Sequence, residues 1–305
     1  MTETGYKDTT RDQLTDTDAA GIRGRSLWHD ARRRLLNNKA AVTSMVILGI
    51  IILMAVCAPM LSTWTYDDPD WGYDFPGPPS MEHKHWFGTD GNGRDLFVRT
   101  LYGARVSLLV GILATTVSLI IGVTYGAVSG FIGGRTDNFM MRIVDVMYSL
   151  PFMFFVILLM VFFGRNIFLI FIALGAVEWL TMARIVRGQT LSVKKKEFIE
   201  AAHAVGVSNI VIIFRHIIPN VLGPVIVYMT LTIPQVILTE SFLSFLGLGV
   251  QEPMTSWGVL ISEGARQMES APWLLVFPAV FLAVTLFCFN FIGDGLRDAL
   301  DPRDR

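Results

Sequence analysis

Five stretches of this chain run for 19 residues or more without a single Asp, Glu, Lys or Arg. They are Ala40 to Tyr66, Val106 to Gly134, Val146 to Gly164, Ile217 to Thr239 and Ser270 to Gly293. A helix needs about 20 mostly apolar residues to cross the hydrocarbon core of a bilayer. A sixth stretch, Asn166 to Ala183, is 18 residues long and carries one charge, Glu178. Lipid offers no partner for backbone N–H and C=O groups, so spans of this length are helical. The pattern predicts an all-α polytopic membrane protein with six transmembrane helices. Ser241 to Gln251 is apolar but short and Gly-containing, and reads as a re-entrant or interfacial piece. The first span follows a long polar leader and its apolar run exceeds the h-region of a signal peptide, so it reads as a retained anchor.

Charged residues make up 17% of the chain, below the roughly 25% of soluble domains, and 52% is hydrophobic, which excludes a disordered chain. With a net charge of −1 nothing points to nucleic acid. Cys57 and Cys288 lie in apolar runs and provide neither a disulfide framework nor a zinc site. Basic residues set the orientation. If the N-terminus lies inside, the inner segments 1–39, 135–145, 184–216 and 294–305 hold 19 of the 25 Lys and Arg. The positive-inside bias therefore predicts cytoplasmic N- and C-termini. The chain then divides into a disordered cytoplasmic leader 1–25, a basic interfacial helix 26–39, a first span 40–61 and an outer loop 62–105. A core follows over 102–294 with five spans, and a tail over 295–305. Residues 26–39 fit equally well as a plain positive-inside anchor for the first span.

The inner loop 184–216 is long for a connection between two membrane helices. Phe198, Ala201, Ala202 and Val205 have i, i+3, i+4, i+7 spacing. Gly206 follows, where a helix can end in the left-handed conformation. Ser208 can cap a second helix, in which Ile210, Ile213, Phe214 and Ile217 repeat the spacing. Pro219 marks the start of the fifth span. Two amphipathic helices in a lone loop cannot bury their apolar faces in a core of their own. They either rest on the membrane or meet a partner's groove.

The run Glu200-Ala201-Ala202-x3-Gly206, ending at Pro219, resembles the EAA loop of ATP-binding-cassette importer permeases. The usual ending is Ile-x-Leu-Pro, and this chain departs from it at His216 and conservatively at Ile218. Its Arg215 to Asn220 looks like the ending used in the peptide-transporting branch. Phe87-Gly88-Thr89-Asp90 with Gly93-Arg94-Asp95 is similar to an outer-loop signature of that branch. Asp137, Met141, Arg142, Asp145 and Pro151 match the start of its third span, and Glu240 to Gly249 with Ser256-Trp257-Gly258 the segment after its fifth. Residues 25–53 and 272–305 look like the C-type permease subunit of oligopeptide importers, and the likeness covers nearly the whole chain from Gly24.

The resemblance implies a type I importer permease architecture in a bacterial inner membrane. It implies Glu200, Ala201, Ala202, Gly206 and Pro219 as the ATPase-coupling residues. It further implies a homologous second permease, two ATPase subunits holding ATP and Mg, an extracytoplasmic peptide-binding protein and a peptide substrate. In agreement, the chain has no Gly-x4-Gly-Lys-Ser/Thr loop to cradle ATP and no cofactor site of its own. Dipeptides and nickel chelates are the alternative substrates within the family. An ion-coupled secondary transporter, the reading from another class, would show inverted repeats and several buried ionisable residues, whereas here only Glu178 lies well inside a span.

Glu178 and Glu240 are candidate pore or gate residues. An intramembrane acid marks a functional site by default, but Glu178 can equally pair across helices. Asp90 to Asp95 begins like a calcium loop but has Arg94 at the fifth position, so a turn before a helix, capped by Asp95, is the simpler reading. Glu82, His83 and His85 read as solvated loop residues, and no metal is assigned. Gly122 and Gly126 have the GxxxG spacing that permits close helix packing.

Overall fold

The computed structural model describes residues 27–164 and 167–300. The leader 1–25 and the end of the tail, 301–305, lie outside the described residues. Regular structure among the described residues is helical, with only isolated bridges in the 62–95 loop. A short amphipathic helix, α1 (Leu27–Asn37), leads into α2 (Lys39–Leu61). Asn38 separates them and its side-chain oxygen accepts from the Ala41 N–H at 3.2 Å, so one residue ends the first helix and caps the second.

The loop 62–95 then leads to α3 (Leu96–Ile132), 37 residues long. At 1.5 Å per residue it reaches about 55 Å, far more than a bilayer core. Asp95 caps it, accepting the Val98 N–H at 2.8 Å. The helices α4 (Gly134–Ser149) and α5 (Phe152–Phe163) follow. Next come α6 (Ile167–Val193) and α7 (Glu197–Ala204). A helical turn, α8 (Asn209–Ile212), passes through a π turn (Ile213–Ile217) into α9 (Ile218–Phe245). α10 (Trp257–Arg266) and α11 (Trp273–Leu300) complete the chain.

Five helical segments are long and apolar enough to cross a membrane: Lys39–Leu61, Leu96–Ile132, Phe168–Val193, Asn209–Phe245 and Trp273–Leu300. The span expected at Val146 to Gly164 is not one straight helix. It straddles a break at Leu150–Pro151, where α4 and α5 meet at 84°. Proline disfavours helical geometry in the residue before it, and Leu150 sits at ψ 130°. Alone, α5 spans only about 18 Å, so the sixth crossing exists only if the bent pair acts as one. Ser241 to Gln251 is not a separate piece either. Its first five residues continue α9, which ends at Phe245 before Gly247 at φ +77°.

Helix α3 is the centre of the molecule. It packs along α6 and meets α2 and α9 on other sides. The α3–α6 seam is close because it lacks side chains on one wall. A Cβ on Gly122 would come within 2.6 Å of the Met182 side chain, and one on Gly126 would strike the Ala183 carbonyl. This is the close approach that the GxxxG spacing allows. Two apolar clusters flank the seam. One joins Val106, Val110 and Ala114 of α3 to α5, α6 and α9. The other joins Val123, Ala127 and Phe131 to Met182, Val186, Ile199, Ile212 and Ile217, and so ties the 184–217 segment to the bundle.

Candidate functional site

The 184–217 segment is less loop-like than its spacing suggests. Its first ten residues continue α6 to Val193. The second expected helix is continuous with the fifth span through the π turn. Pro219 therefore does not divide them. The widened turn ends just before it and takes up the ring that would clash with the carbonyl four residues earlier. Between α7 and α8 lies one tight reversal. Gly206 stands at φ +81°, the Val207 N–H bonds the Ala202 carbonyl at 3.1 Å, and Val205 bonds Ala201 at 3.1 Å. This is a Schellman-type ending with glycine at the left-handed position. Ser208 occupies the cap position of α8, but its side chain makes no capping bond.

The apolar stripes divide differently from their spacing. Of Phe198, Ala201, Ala202 and Val205, only Ala202 is buried, and Ile199 is the other residue of α7 that faces the core. Farther on, Ile212, Ile213 and Ile217 are buried while Ile210 and Phe214 face out. The segment thus has an anchored face and an exposed apolar one, on which Val205 is 79% and Ile210 70% accessible. Glu200 and Ala201 lie on the exposed side. Two contacts fasten the segment to the last turn of α3. The His203 ring stacks on Phe131 at 5.7 Å, and Lys194 Nζ donates to the Phe131 carbonyl. Beside them, Arg187 of α6 donates through Nε and Nη2 to both oxygens of Asp137 on α4, each at 2.6 Å. Ser129 of α3 donates to the same carboxylate at 2.5 Å, so one side chain joins three helices.

The two acids singled out from the sequence have opposite surroundings. Glu240 is fully enclosed. It accepts from Ser244 Oγ at 2.7 Å and Ser107 Oγ at 3.4 Å, and Ser107 in turn accepts the Trp257 N–H at 3.2 Å. From there it shapes the packing of α3, α9 and α10 and lines no open surface. Glu178 on α6 is half-buried and has no hydrogen-bond or ion-pair partner among the described residues.

The model of the family described as "Binding-protein-dependent transport system inner membrane component" matches residues 122–305. The chain belongs to this family of transport permeases. The model of the "N-terminal TM domain of oligopeptide transport permease C" matches residues 26–79 of the permease. The permease is 62% identical to the oligopeptide transport system permease protein OppC of Haemophilus influenzae over 284 residues, 93% of this chain and 91% of that one. It is 61% identical to OppC of Escherichia coli K12, covering 93% and 94%. The dipeptide transport system permease protein DppC of Bacillus subtilis is 48% identical, with 92% and 87% covered. Among solved structures, an inward-facing conformation of the MetNI methionine ABC transporter aligns with TM-score 0.54 at 17% identity, over 68% of this chain and 96% of that one. At that identity the likeness establishes the fold, that of a type I importer permease.

The 62–95 loop of the permease is built on charge pairs that spacing alone does not reveal. His85 is fully buried, with Nδ1 2.8 Å from Asp95 and Nε2 3.2 Å from Asp70, and its ring stacks on Trp64 at 4.6 Å. The backbone N–H of Gly72 holds the Asp70 carboxyl below the usual carboxylate range, whereas burial pushes that of Asp95 up. Arg94 bonds Asp90 at 2.8 Å and Glu252 at 3.1 Å, joining this loop to the one before α10. His85 is thus a bracket between carboxylates. Among the described residues no group of three or more His, Cys, Asp or Glu side chains is arranged to hold a metal ion.

Proposed function

We propose that the chain is a membrane-spanning permease subunit of an ATP-driven oligopeptide importer, forming half of the translocation pore and coupling it to ATPase subunits. The carrying observation is the two-sided 197–217 segment, whose Ile199, Ala202, Ile212, Ile213 and Ile217 anchor it while Phe198, Val205, Ile210 and Phe214 stay exposed. An exposed apolar patch on a helix pair rooted in the core suits a partner's groove. The identity of above 60% with two oligopeptide permeases supports the substrate class.

In this reading both termini and the 184–216 segment are cytoplasmic, and the 62–95 loop faces the binding protein. The partners are a homologous second permease, two ATPase chains that bind ATP and Mg, and an extracytoplasmic peptide-binding protein. Glu200, Ala201 and Ala202 belong to the docking helix, Gly206 is its joint, and Pro219 sits where the π turn runs into α9. ATPase closure displaces α7. The His203–Phe131 and Lys194–Phe131 contacts pass the displacement to α3, and the π turn passes it to α9. The pore then opens outward toward the loaded binding protein.

The test is a gentle-detergent purification of the tagged chain with mass spectrometry of its partners, followed by peptide uptake in liposomes. Co-purification of a second permease and Walker-type ATPases, with uptake that needs ATP, is the expected result. Recovery of the chain alone, active under an ion gradient without ATP, overturns the proposal.

A further inference from the structure

Polar side chains from α4, α6 and α9 meet in an otherwise apolar part of the molecule. Glu178 and Thr181 lie one turn apart on α6. At the end of α4, the Tyr148 hydroxyl is 3.2 Å from Thr181 Oγ1. Tyr228 of α9 comes alongside Thr181 and near both Glu178 and Tyr148. One turn farther along α6, the Arg184 guanidinium lies over the Tyr148 ring at 4.5 Å and bonds Asp145 at 2.8 Å.

Glu178 has no hydrogen-bond or ion-pair partner among the described residues. A carboxylate at membrane depth is costly unless water or a cation reaches it. Glu240 shows the alternative, an acid enclosed and bonded by serines of its own chain. On α5, which packs against α6, the side chains of Phe154, Ile157, Leu158, Val161, Phe162 and Phe163 are exposed and suit lipid or an apolar neighbour. The three hydroxyls have a different chemistry. Each both donates and accepts, and so matches amide N–H and C=O groups without regard to sequence. Of the three, Tyr148 also lines a cavity of about 390 Å³, together with Met147, Leu150, Pro151, Phe155 and Val177.

We infer that this cluster is a station for the transported peptide. Glu178 receives the terminal ammonium, the hydroxyls of Tyr148, Thr181 and Tyr228 bond the first main-chain amides, and the apolar cavity takes the first side chain. The inference rests on the peptide-permease reading above. It assigns this subunit the recognition of what all peptides share, and leaves side-chain choice to the volume of the cavity.

The test uses the complete importer in liposomes and a transported peptide with a free N-terminus and a benzophenone side chain at its first residue. Illumination during ATP turnover, followed by mass spectrometry, maps the contact. Label is expected on α4, α6 and α9 around Thr181. Glu178→Gln should lower it about tenfold, the effect of losing one charge-assisted hydrogen bond, and Glu178→Asp should restore most of it. Normal uptake with label confined to other helices, to lipid or to the second permease overturns the inference, as does label undiminished in a Glu178→Gln complex of normal composition. Failure of the wild-type importer to take up any peptide overturns the functional reading instead.

Discussion

A Cβ built on Gly206 meets nothing within 4 Å, yet the residue stands at φ +81°. The penalty for a side chain there is therefore conformational, about 1 kcal/mol, and not steric. Gly206→Ala should leave the assembled transporter nearly as stable as before and lower the peptide transported per ATP hydrolysed. Gly206→Asn, which tolerates the left-handed region, should recover most of the loss. A ratio of uptake to hydrolysis unchanged in Gly206→Ala would remove the joint from the mechanism. Glu240 calls for the opposite expectation. Glu240→Gln keeps the shape and an acceptor for Ser107 and Ser244, and should transport at close to the normal rate. Glu240→Leu removes the carboxylate acceptor of both hydroxyls in a closed interior and should destabilise the fold by about 1–3 kcal/mol. Thermal unfolding of the purified complex separates the two. Equal losses of uptake in both variants at unchanged stability would return Glu240 to a gating role.

Among the elements, the α3–α6 seam is where a single change does most damage. Gly126→Leu would drive a side chain into the Ala183 carbonyl and the Val186 side chain. Overpacking of this kind costs about 1–3 kcal/mol and more where backbone cannot move. The variant should insert in the membrane but unfold at a markedly lower temperature in detergent, and a wild-type melting point would contradict the tight seam. That seam was legible in the sequence, because GxxxG is a local pattern. So were Asp95 as the cap of α3, the left-handed Gly206 and most of the spans, since each depends on residues within a turn or two. The bend at Leu150–Pro151 was hidden within an uncharged run whose length alone suggested one helix. The burial of Ile199 beside the stripe of Phe198, Ala201 and Val205 was not legible, because helical spacing identifies a stripe but not what covers it. The bracket of His85 between Asp70 and Asp95 had no local signal at all, since its members are 10 and 15 residues away and a loop brings them together.

For the whole molecule, the orientation inferred from Lys and Arg makes a direct prediction. With Cys57 and Cys288 replaced by Ser, single cysteines at Ser80 and Ser192 should differ in their reaction with a membrane-impermeant maleimide. On intact spheroplasts the first should label and the second only after lysis. The reverse pattern would invert the topology and place the exposed face of α7 out of reach of any ATPase. With the topology as inferred, the continuity of α8, the π turn and α9 sets how motion is scaled. The rod from Asn209 to Phe245 has 37 residues, a little over 50 Å of helix. A tilt of about 5° about one end of such a rod moves the other sideways by roughly 5 Å. The geometry is that of a long lever with a short throw at the handle, so a slight rotation beneath the membrane is enough to carry a side chain on the far side about 5 Å sideways.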